Sequence, residues 1–160
     1  MSKTLPIICY PDPFLRKRAS NVDPVQIPAL QGLFANMVQT MREKDGIGLA
    51  APQIGLSLQV TVISYKDGPL ILINPELSQF SFKKETAEEG CLSIPGINGL
   101  VKRSKKLTFK ALNEKGQIIE GIAEGLFARV LQHEIDHLNG VLFIDRAKKI
   151  THGKLKEEKA

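Results

Sequence analysis

The strongest constraint on this chain is the sequence His133-Glu134-Ile135-Asp136-His137, an HExxH pattern within a stretch of helical periodicity. Residues four apart lie one turn above each other on a helix, with about 6 Å between their Cβ atoms. Both imidazoles can therefore reach one metal ion while Glu134 leans toward a water bound to it. Leu126 and Val130 continue the same stripe, which places the histidines on a face that carries apolar residues. The alternative is a solvated helix with two chance histidines.

A catalytic metal needs three protein ligands and an open position for water, so the histidine pair needs a third donor. Downstream of the motif the candidates are Asp145 and His152, and neither has a convincing sequence context. Cys91 is the better candidate, because the glycines and the proline of residues 89–96 predict an irregular backbone that can present a thiolate. We interpret the other cysteine, Cys9, as a small buried apolar residue.

The spacing of apolar residues predicts an α+β fold. One amphipathic helix is predicted from residue 29 to Gly46, and a second from about Glu124 to Leu138. The stretches between them are short, aliphatic and bounded by turn residues such as those at 66–69, and they predict strands at 58–64, 70–73, 76–82, 106–112 and 117–122. Parallel βαβ units would alternate throughout, so we expect mixed or antiparallel strands packed around a central helix that bears HExxH.

Composition favours one domain, because 160 residues with 42% hydrophobic content can bury a core. We expect a single domain over residues 1–160, of which 146–160 form a basic tail. The formal net charge of +5 favours anionic neighbours. No apolar run approaches the roughly 18 residues of a membrane span. No secretory or transit signal is visible, so we expect a soluble cytoplasmic protein whose two cysteines stay reduced.

Residues 46–51 match the G-x-G-x-x-A form of a dinucleotide-binding fingerprint, but their context excludes that function. The fingerprint needs a strand before it and a helix after it. Here a helix precedes it, and Pro52 interrupts any helix that follows. We interpret the segment as a strand-like edge in which Gly48 allows close approach of a ligand's backbone and Gln53 offers a side-chain amide. A simple turn is the alternative.

Three segments, in this order and with this spacing, resemble the motifs of peptide deformylases: Gly46-Ile-Gly-Leu-Ala-Ala-Pro-Gln53, Glu89-Gly-Cys-Leu-Ser93 and Gln132-His-Glu-Ile-Asp-His137. With the leading helix and residues 138–143, the resemblance covers nearly the whole chain. It implies an α+β hydrolase that removes the formyl group from the N-terminal formylmethionine of newly made polypeptides. It also implies one divalent metal held by Cys91, His133 and His137. That metal is ferrous iron in this family, and nickel, cobalt or zinc can occupy the site.

The resemblance assigns roles to the residues around the metal. Glu134 is the general base that takes a proton from the metal-bound water and then the acid that delivers it to the leaving amine. The water attacks the formyl carbon. The oxyanion that forms is held by the metal, by the Gln53 amide and by the backbone N–H of Leu92.

The same resemblance predicts how the peptide binds. Ile47 and Gly90 hydrogen-bond the extended substrate through their main chains. The methionine side chain enters a pocket lined by Ile47, Gly48, Leu126 and Val130. Glu89 and Arg103 form a supporting ion pair, for which two solvated side chains are the alternative. Asn98 is a departure, because some bacterial relatives have an arginine there that touches the substrate.

The partners implied are formylmethionyl nascent peptides and, through the basic tail, the ribosome near its exit tunnel, since ribosomal RNA is a dense anion. The lysines concerned are Lys148, Lys149, Lys154, Lys156 and Lys159. A solvated charged face is the alternative for that tail.

Two other functions share parts of the pattern. An HExxH endopeptidase needs a cleft open on both sides of the scissile bond, and a module with a structural metal needs a fourth protein ligand.

Overall fold

The computed structural model describes residues 1–66 and 68–158. Two 3₁₀ helices precede the first α-helix, at Pro13–Arg16 and Pro24–Leu30, and each starts at a proline that follows a capping aspartate. Asp12 caps the first of them by accepting a hydrogen bond from the Phe14 N–H at 2.9 Å. Helix α1 spans Gln31–Glu43. It is shorter than the predicted helix because the stretch through Pro28 adopts the tighter 3₁₀ geometry.

In the described part of the chain, eight strands form two sheets, and every pairing between these strands is antiparallel. The first sheet has the order β1-β2-β3-β6-β7, and its strands are β1 (Gly48–Ala50), β2 (Val60–Tyr65), β3 (Gly68–Ser78), β6 (Lys106–Leu112) and β7 (Ile118–Glu124). The second has the order β4-β5-β8, with β4 (Lys84–Cys91), β5 (Ile94–Ser104) and β8 (Ala147–His152). The predicted α+β class with antiparallel strands is therefore confirmed.

The predicted strands at 70–73 and 76–82 are one strand. Within β3 the register with β6 shifts between Ile73 and Glu76, where Asn74 has a φ of 53°. Asparagine tolerates this left-handed conformation. Its side chain also exchanges two hydrogen bonds of 2.8 Å with the main chain of Val22, which fixes the irregularity. Asp67, in the predicted turn at 66–69, lies outside the described residues.

Strands β4, β5 and β8 are absent from the predicted set. Most positions of β4 are exposed, and its sequence is too polar for the usual alternation. β5 contains a proline and two glycines, which normally mark loops. The β4–β5 hairpin closes at Cys91, which pairs with Ile94 after a register shift at Gly90. Cys91 thus lies at a strand end with the local irregularity that its glycine-rich surroundings predict.

Helix α2 (Gly125–Leu138) lies where it is predicted and packs against strands of both sheets. Period-two alternation in β2 puts Val62 among the apolar residues that pack with α1, and Ile63 among those that pack with α2. Leu131 and Leu138 of α2 are fully buried, and each such side chain contributes about 1.5–3 kcal/mol. The helix ends where Gly140 takes a φ of 76°.

A short helix α3 (Phe143–Arg146) follows and leads into β8. Its Phe143 is buried in a third apolar cluster beneath the second sheet. Within the described ranges, no helix is long and apolar enough to cross a membrane.

Candidate active site

Cys91, His133 and His137 meet where the end of β4 reaches α2. Their donor atoms all lie within 4.8 Å of one another, and Cys91 Sγ is 3.2 Å from His137 Nε2. The one-turn spacing of the two histidines on α2 brings both rings to the same side of the helix, as predicted. One thiolate and two imidazoles are a donor set that suits a divalent transition metal.

The two imidazoles differ in their outer contacts. His133 Nδ1 lies 2.9 Å from Glu89 Oε1, which leaves Nε2 to face the cluster. His137 Nδ1 is buried and has no hydrogen-bond partner in the described part of the chain. Burial lowers the pKa of His137 well below its usual value, and the nearby His133 and Arg103 charges lower it further. His137 is therefore neutral, the form in which a histidine binds a metal.

The pKa of His133 is raised, in contrast to that of His137. Burial by itself lowers this pKa, but hydrogen bonds to Cys91 and Glu89 outweigh the loss of solvent and raise it well above the usual value. The groups around His133 therefore stabilise positive charge at this ring. This preference, together with the donor set, fits a bound divalent metal.

Glu134 is a second carboxylate close to His133. It is only 4% exposed, its Oε1 lies 3.9 Å from His133 Nε2, and its Oε2 has no partner among the described residues. Burial raises the pKa of Glu134 to about 7. A carboxylate with such a pKa and an unbonded oxygen can take up and release a proton near neutral pH.

Gly48 has a steric role that the sequence does not predict. A Cβ at this position would lie 2.7 Å from Glu134 Oε1, and the approach of a ligand's backbone to Gly48 stays a prediction. Any larger residue would therefore displace the Glu134 carboxylate. The absence of a side chain at Gly48 makes room for this carboxylate between β1 and α2.

Gln53 lies in a 3₁₀ helix (Ala51–Ile54) that directly follows β1. Its Oε1 accepts a hydrogen bond of 2.9 Å from the Ala50 N–H. Its Nε2 donates to Ser93 Oγ at 3.0 Å and lies 3.6 Å from Cys91 Sγ. These contacts fix one amide N–H beside the cysteine sulfur. Ser93 was not among the predicted site residues.

A cavity of about 440 Å³ opens beside Cys91 and His133. The predicted peptide-binding and oxyanion residues line it, namely Ile47, Gly48, Gln53, Gly90, Leu92, Leu126 and Val130, as do Glu134, Cys91 and His133. Val130 is buried in the wall, whereas Ile47 and Leu126 are exposed at the rim. β1 and β4, each the edge strand of its sheet, flank the opening.

Glu89 and Arg103 form a buried ion pair behind His133. The guanidinium donates two hydrogen bonds, of 2.9 and 3.0 Å, to the carboxylate, and the two residues are 8% and 4% exposed. The alternative of two solvated side chains is therefore wrong. Burial by itself raises the pKa of Glu89, but the hydrogen bonds from His133 and Arg103 lower it to about 2. Glu89 is thus ionised and able to hold the His133 ring.

Three charged residues around this pair were missed by sequence reasoning. Arg129 donates to Glu89 Oε2 at 2.6 Å. Asp136 accepts from Arg103 Nη1 at 2.6 Å and from Arg146 Nε at 2.6 Å. Helical spacing could have indicated two of them, because residues 129 and 136 lie on the same face of α2 as His133.

Cys9, Asp145 and Asn98 are not part of the group of three donors. Cys9 is exposed, so its interpretation as a buried apolar residue is wrong. Its neighbours Ile8 and Tyr10 pack into the third apolar cluster, and the alternation of this extended segment turns Cys9 outward. Asp145 is bound to Arg16 at 2.5 Å. Asn98 pairs with Gly90 across the β4–β5 hairpin.

Comparison with known proteins gives concordant results. A family profile described as polypeptide deformylase matches residues 4–152. A peptide deformylase of Desulforudis audaxviator is 49% identical over 142 residues, which cover 88% of this chain and 92% of that protein. The crystal structure of peptide deformylase from Thermotoga maritima has a TM-score of 0.88 and 44% identity, covering 91% of this chain and 99% of that one. The Met-Ala-Ser-bound class I type b peptide deformylase from Acinetobacter baumannii has a TM-score of 0.88 and 34% identity, covering 91% and 99%.

Proposed function

The chain belongs to the peptide deformylase family, the metal-dependent hydrolases that remove the N-formyl group from nascent polypeptides, and we propose that its reaction takes place at Cys91, His133 and His137. The observation that carries the proposal is the convergence of these three donors beside the unbonded oxygen of Glu134. In this reading residues 1–160 act as one catalytic domain, because α2 packs against both sheets and the site forms between them.

The direct test compares two substrates. We expect formate release from formyl-Met-Ala and no cleavage of an internally quenched peptide. Internal cleavage without formate release would instead identify an HExxH endopeptidase.

We propose ferrous iron as the resident metal, with Ni²⁺, Co²⁺ or Zn²⁺ able to substitute. One thiolate with two imidazoles accommodates each of these ions, and the family resemblance favours iron. When bound, such a cation polarises the formyl carbonyl and lowers the pKa of a water molecule. Anaerobic purification with elemental analysis should find iron, and air should inactivate the enzyme because the cysteine thiolate oxidises. Zinc as the sole metal in a fully active anaerobic preparation would contradict this assignment.

Glu134 carries the proton in the proposed mechanism. Its unbonded Oε2 accepts a proton from the attacking water, and the same carboxyl group then protonates the nitrogen of the leaving amine. Its burial supports this role, because a raised pKa allows uptake and release of the proton near neutral pH. Gly48 supports it sterically by leaving the space that the carboxylate fills.

Gln53 and the Leu92 backbone N–H are the proposed donors to the oxyanion. The contacts of Gln53 with Ala50 and Ser93 fix its amide before substrate arrives, and such preorganised donors act on charge that appears only in the transition state.

Replacing Gln53 by Ala should lower kcat by roughly 100- to 1,000-fold while metal content stays unchanged. A formate-release assay with parallel elemental analysis measures both quantities. Gln59→Ala is the matched control, because Gln59 is another buried amide but donates only to the main-chain carbonyls of Ala19 and Leu138. An equal loss of turnover in both variants would assign Gln53 to stability alone.

The substrate peptide is proposed to bind as an added strand between β1 and β4. Ile47 lies just before β1 and Gly90 lies in β4, so each can offer main-chain groups to a peptide placed between these two strands. The methionine side chain enters beside Gly48, Leu126 and Val130, where its burial contributes about 1.5–3 kcal/mol.

A cytoplasmic location and a ribosome contact through the basic tail are further parts of the proposal, because nascent chains emerge at the ribosome. Lys148 and Lys149 are exposed on β8, and Lys154 and Lys156 are exposed beyond it. The tail is held in place, since the Tyr10 hydroxyl donates to the Lys156 carbonyl at 2.9 Å. Lys159 lies outside the described residues.

Replacing Lys148 and Lys149 together by Glu should weaken co-sedimentation with ribosomes, and the binding of the unmodified protein should fall steeply with added salt. Turnover of formyl-Met-Ala should stay unchanged, because both lysines lie outside the cleft. Lys110→Glu with Lys115→Glu is the matched control for net charge, since these lysines lie on β6 and the turn after it. Equal weakening in both double variants would indicate a nonspecific charge effect and no docking by the tail.

A further inference from the structure

Arg129 lines the cavity, and its guanidinium is bound to Glu89 and to main-chain carbonyls of β4 and β5. We infer that Arg129 is a positioning residue for the metal site, which acts through Glu89 on the orientation of His133. The inference rests on the proposed function, since it concerns how the metal-binding imidazole is held. It adds a residue to the site that the sequence motifs do not contain.

The Glu89 carboxylate is held on both of its oxygens. Oε1 contacts His133 Nδ1 and Arg103 Nη2, each at 2.9 Å. Oε2 accepts from Arg103 Nε at 3.0 Å and from Arg129 Nη1 at 2.6 Å. The guanidinium groups of Arg103 and Arg129 therefore both bind the buried Glu89 carboxylate. The other contact of this carboxylate is with His133 Nδ1.

Arg129 differs from Arg103 in what else it touches. Arg103 gives its third donor to a side chain, Asp136, at 2.6 Å. Arg129 gives its other donors to main-chain carbonyls, at 2.9 Å to Val101 in β5 and at 2.6 Å to Glu85 in β4. Its guanidinium thus ties the Glu89 carboxylate to fixed backbone positions in both strands of the hairpin.

Arg129 also lies one turn before His133 on α2. A single carboxylate from β4 is therefore held by two residues of the same helix face, one through each oxygen. This arrangement sets the distance between the helix and the strand at the point where His133 binds. A metal-binding histidine whose other ring nitrogen is held by a carboxylate has its tautomer and ring orientation fixed.

His133 depends on the Glu89 carboxylate for its orientation, whereas His137 does not contact that carboxylate. His137 Nδ1 has no hydrogen-bond partner in the described part of the chain, so Glu89 is the outer partner of the imidazole pair. Loss of Arg129 would leave Glu89 Oε2 with Arg103 alone and would remove the bonds from α2 to the Val101 and Glu85 carbonyls of the hairpin. We expect His133 to bind the metal in a less defined orientation as a result.

A direct role of Arg129 in gripping the peptide is disfavoured by its contacts. Its side chain is 11% exposed, and three hydrogen bonds already occupy the guanidinium. Recruiting it to a substrate carboxylate would break bonds inside a buried ion-pair cluster, which is costly.

The test measures Co²⁺ binding to the metal-free full chain by its visible absorption. Arg129→Met keeps the stem and should weaken Co²⁺ affinity by about 10- to 100-fold with altered d–d bands, the usual size for loss of an outer partner. Arg129→Lys keeps a charge that reaches Glu89 and should restore part of this affinity. Arg16→Met is the matched control, because it removes an arginine from a different ion-pair cluster, with Asp145 and Glu158, and should leave affinity unchanged.

The outcomes separate this inference from the proposed function. Failure of the unmodified chain to bind Co²⁺ would overturn the metal site itself. Normal binding by the unmodified chain, with the same affinity and spectrum in Arg129→Met, would overturn the positioning role alone. Unchanged Co²⁺ binding with a raised KM for formyl-Met-Ala would also overturn it, because Arg129 would then act on the peptide. If Arg129→Met does not fold, Arg129→Lys decides on the same readouts, with a measurable loss supporting the role and full affinity overturning it.

Discussion

Glu134→Ala should retain its metal and lose turnover by about 100- to 10,000-fold, the usual contribution of a general acid–base group. The reason is that, among the described residues, Glu134 is the one buried carboxylate with an unbonded oxygen, whereas both oxygens of Glu89 have partners. Formate release at saturating formyl-Met-Ala gives the turnover, and elemental analysis of the same sample gives the metal content.

Two further variants make this result interpretable. Glu134→Gln preserves the shape that fills the space beside Gly48 but cannot take up a proton, so it should be as inactive as the alanine variant. Glu124→Ala removes an exposed carboxylate just before α2 and should leave turnover unchanged. An active Glu134→Gln enzyme would show that the carboxylate fills space only and that another group moves the proton.

Cys91→Ser should lose most of its metal on dialysis, because a neutral hard hydroxyl replaces a thiolate poorly as a ligand of a transition metal. The loss of affinity should exceed the roughly 10- to 100-fold change that follows removal of an outer partner. Elemental analysis after dialysis and Co²⁺ titration of the metal-free protein measure this loss.

The matched control is Cys9→Ser, which removes the exposed cysteine and should keep full metal content. If both serine variants bind equally tightly, Cys91 is not a ligand and the proposed site lacks its sulfur. The Cys91→Ser protein should still fold, because Cys91 only borders the apolar cluster beneath the second sheet.

The parts of the site that the sequence predicts are those set by local periodicity. Helical spacing alone brings His133 and His137 to one side of α2. The glycines around Cys91 indicate a special backbone, and the register shift at Gly90 shows where it lies. The fold class follows from the order of helices and strands, since that order needs no knowledge of which strands pair.

The parts that the sequence does not predict depend on distant partners. β4 is a polar strand because one sheet face is exposed, so only its pairing with β5 makes it recognisable. Arg129 belongs to a residue type that usually covers a solvated helix face, and its burial is decided by Glu89 from another element. Gly48 likewise owes its role to Glu134, which is remote in sequence.

The position of β1 and β4 at the borders of their sheets has a consequence for the breadth of the reaction. Every nascent chain has the same backbone amide groups, whatever its sequence. A cleft bordered by two strand edges that are unpaired in the described structure can bind these groups without contacting particular side chains. In the proposed binding mode, discrimination rests on the first residue, whose side chain enters beside Val130 and Leu126. Backbone recognition combined with selectivity for the first residue alone suits one enzyme that must process nascent chains of very different sequence.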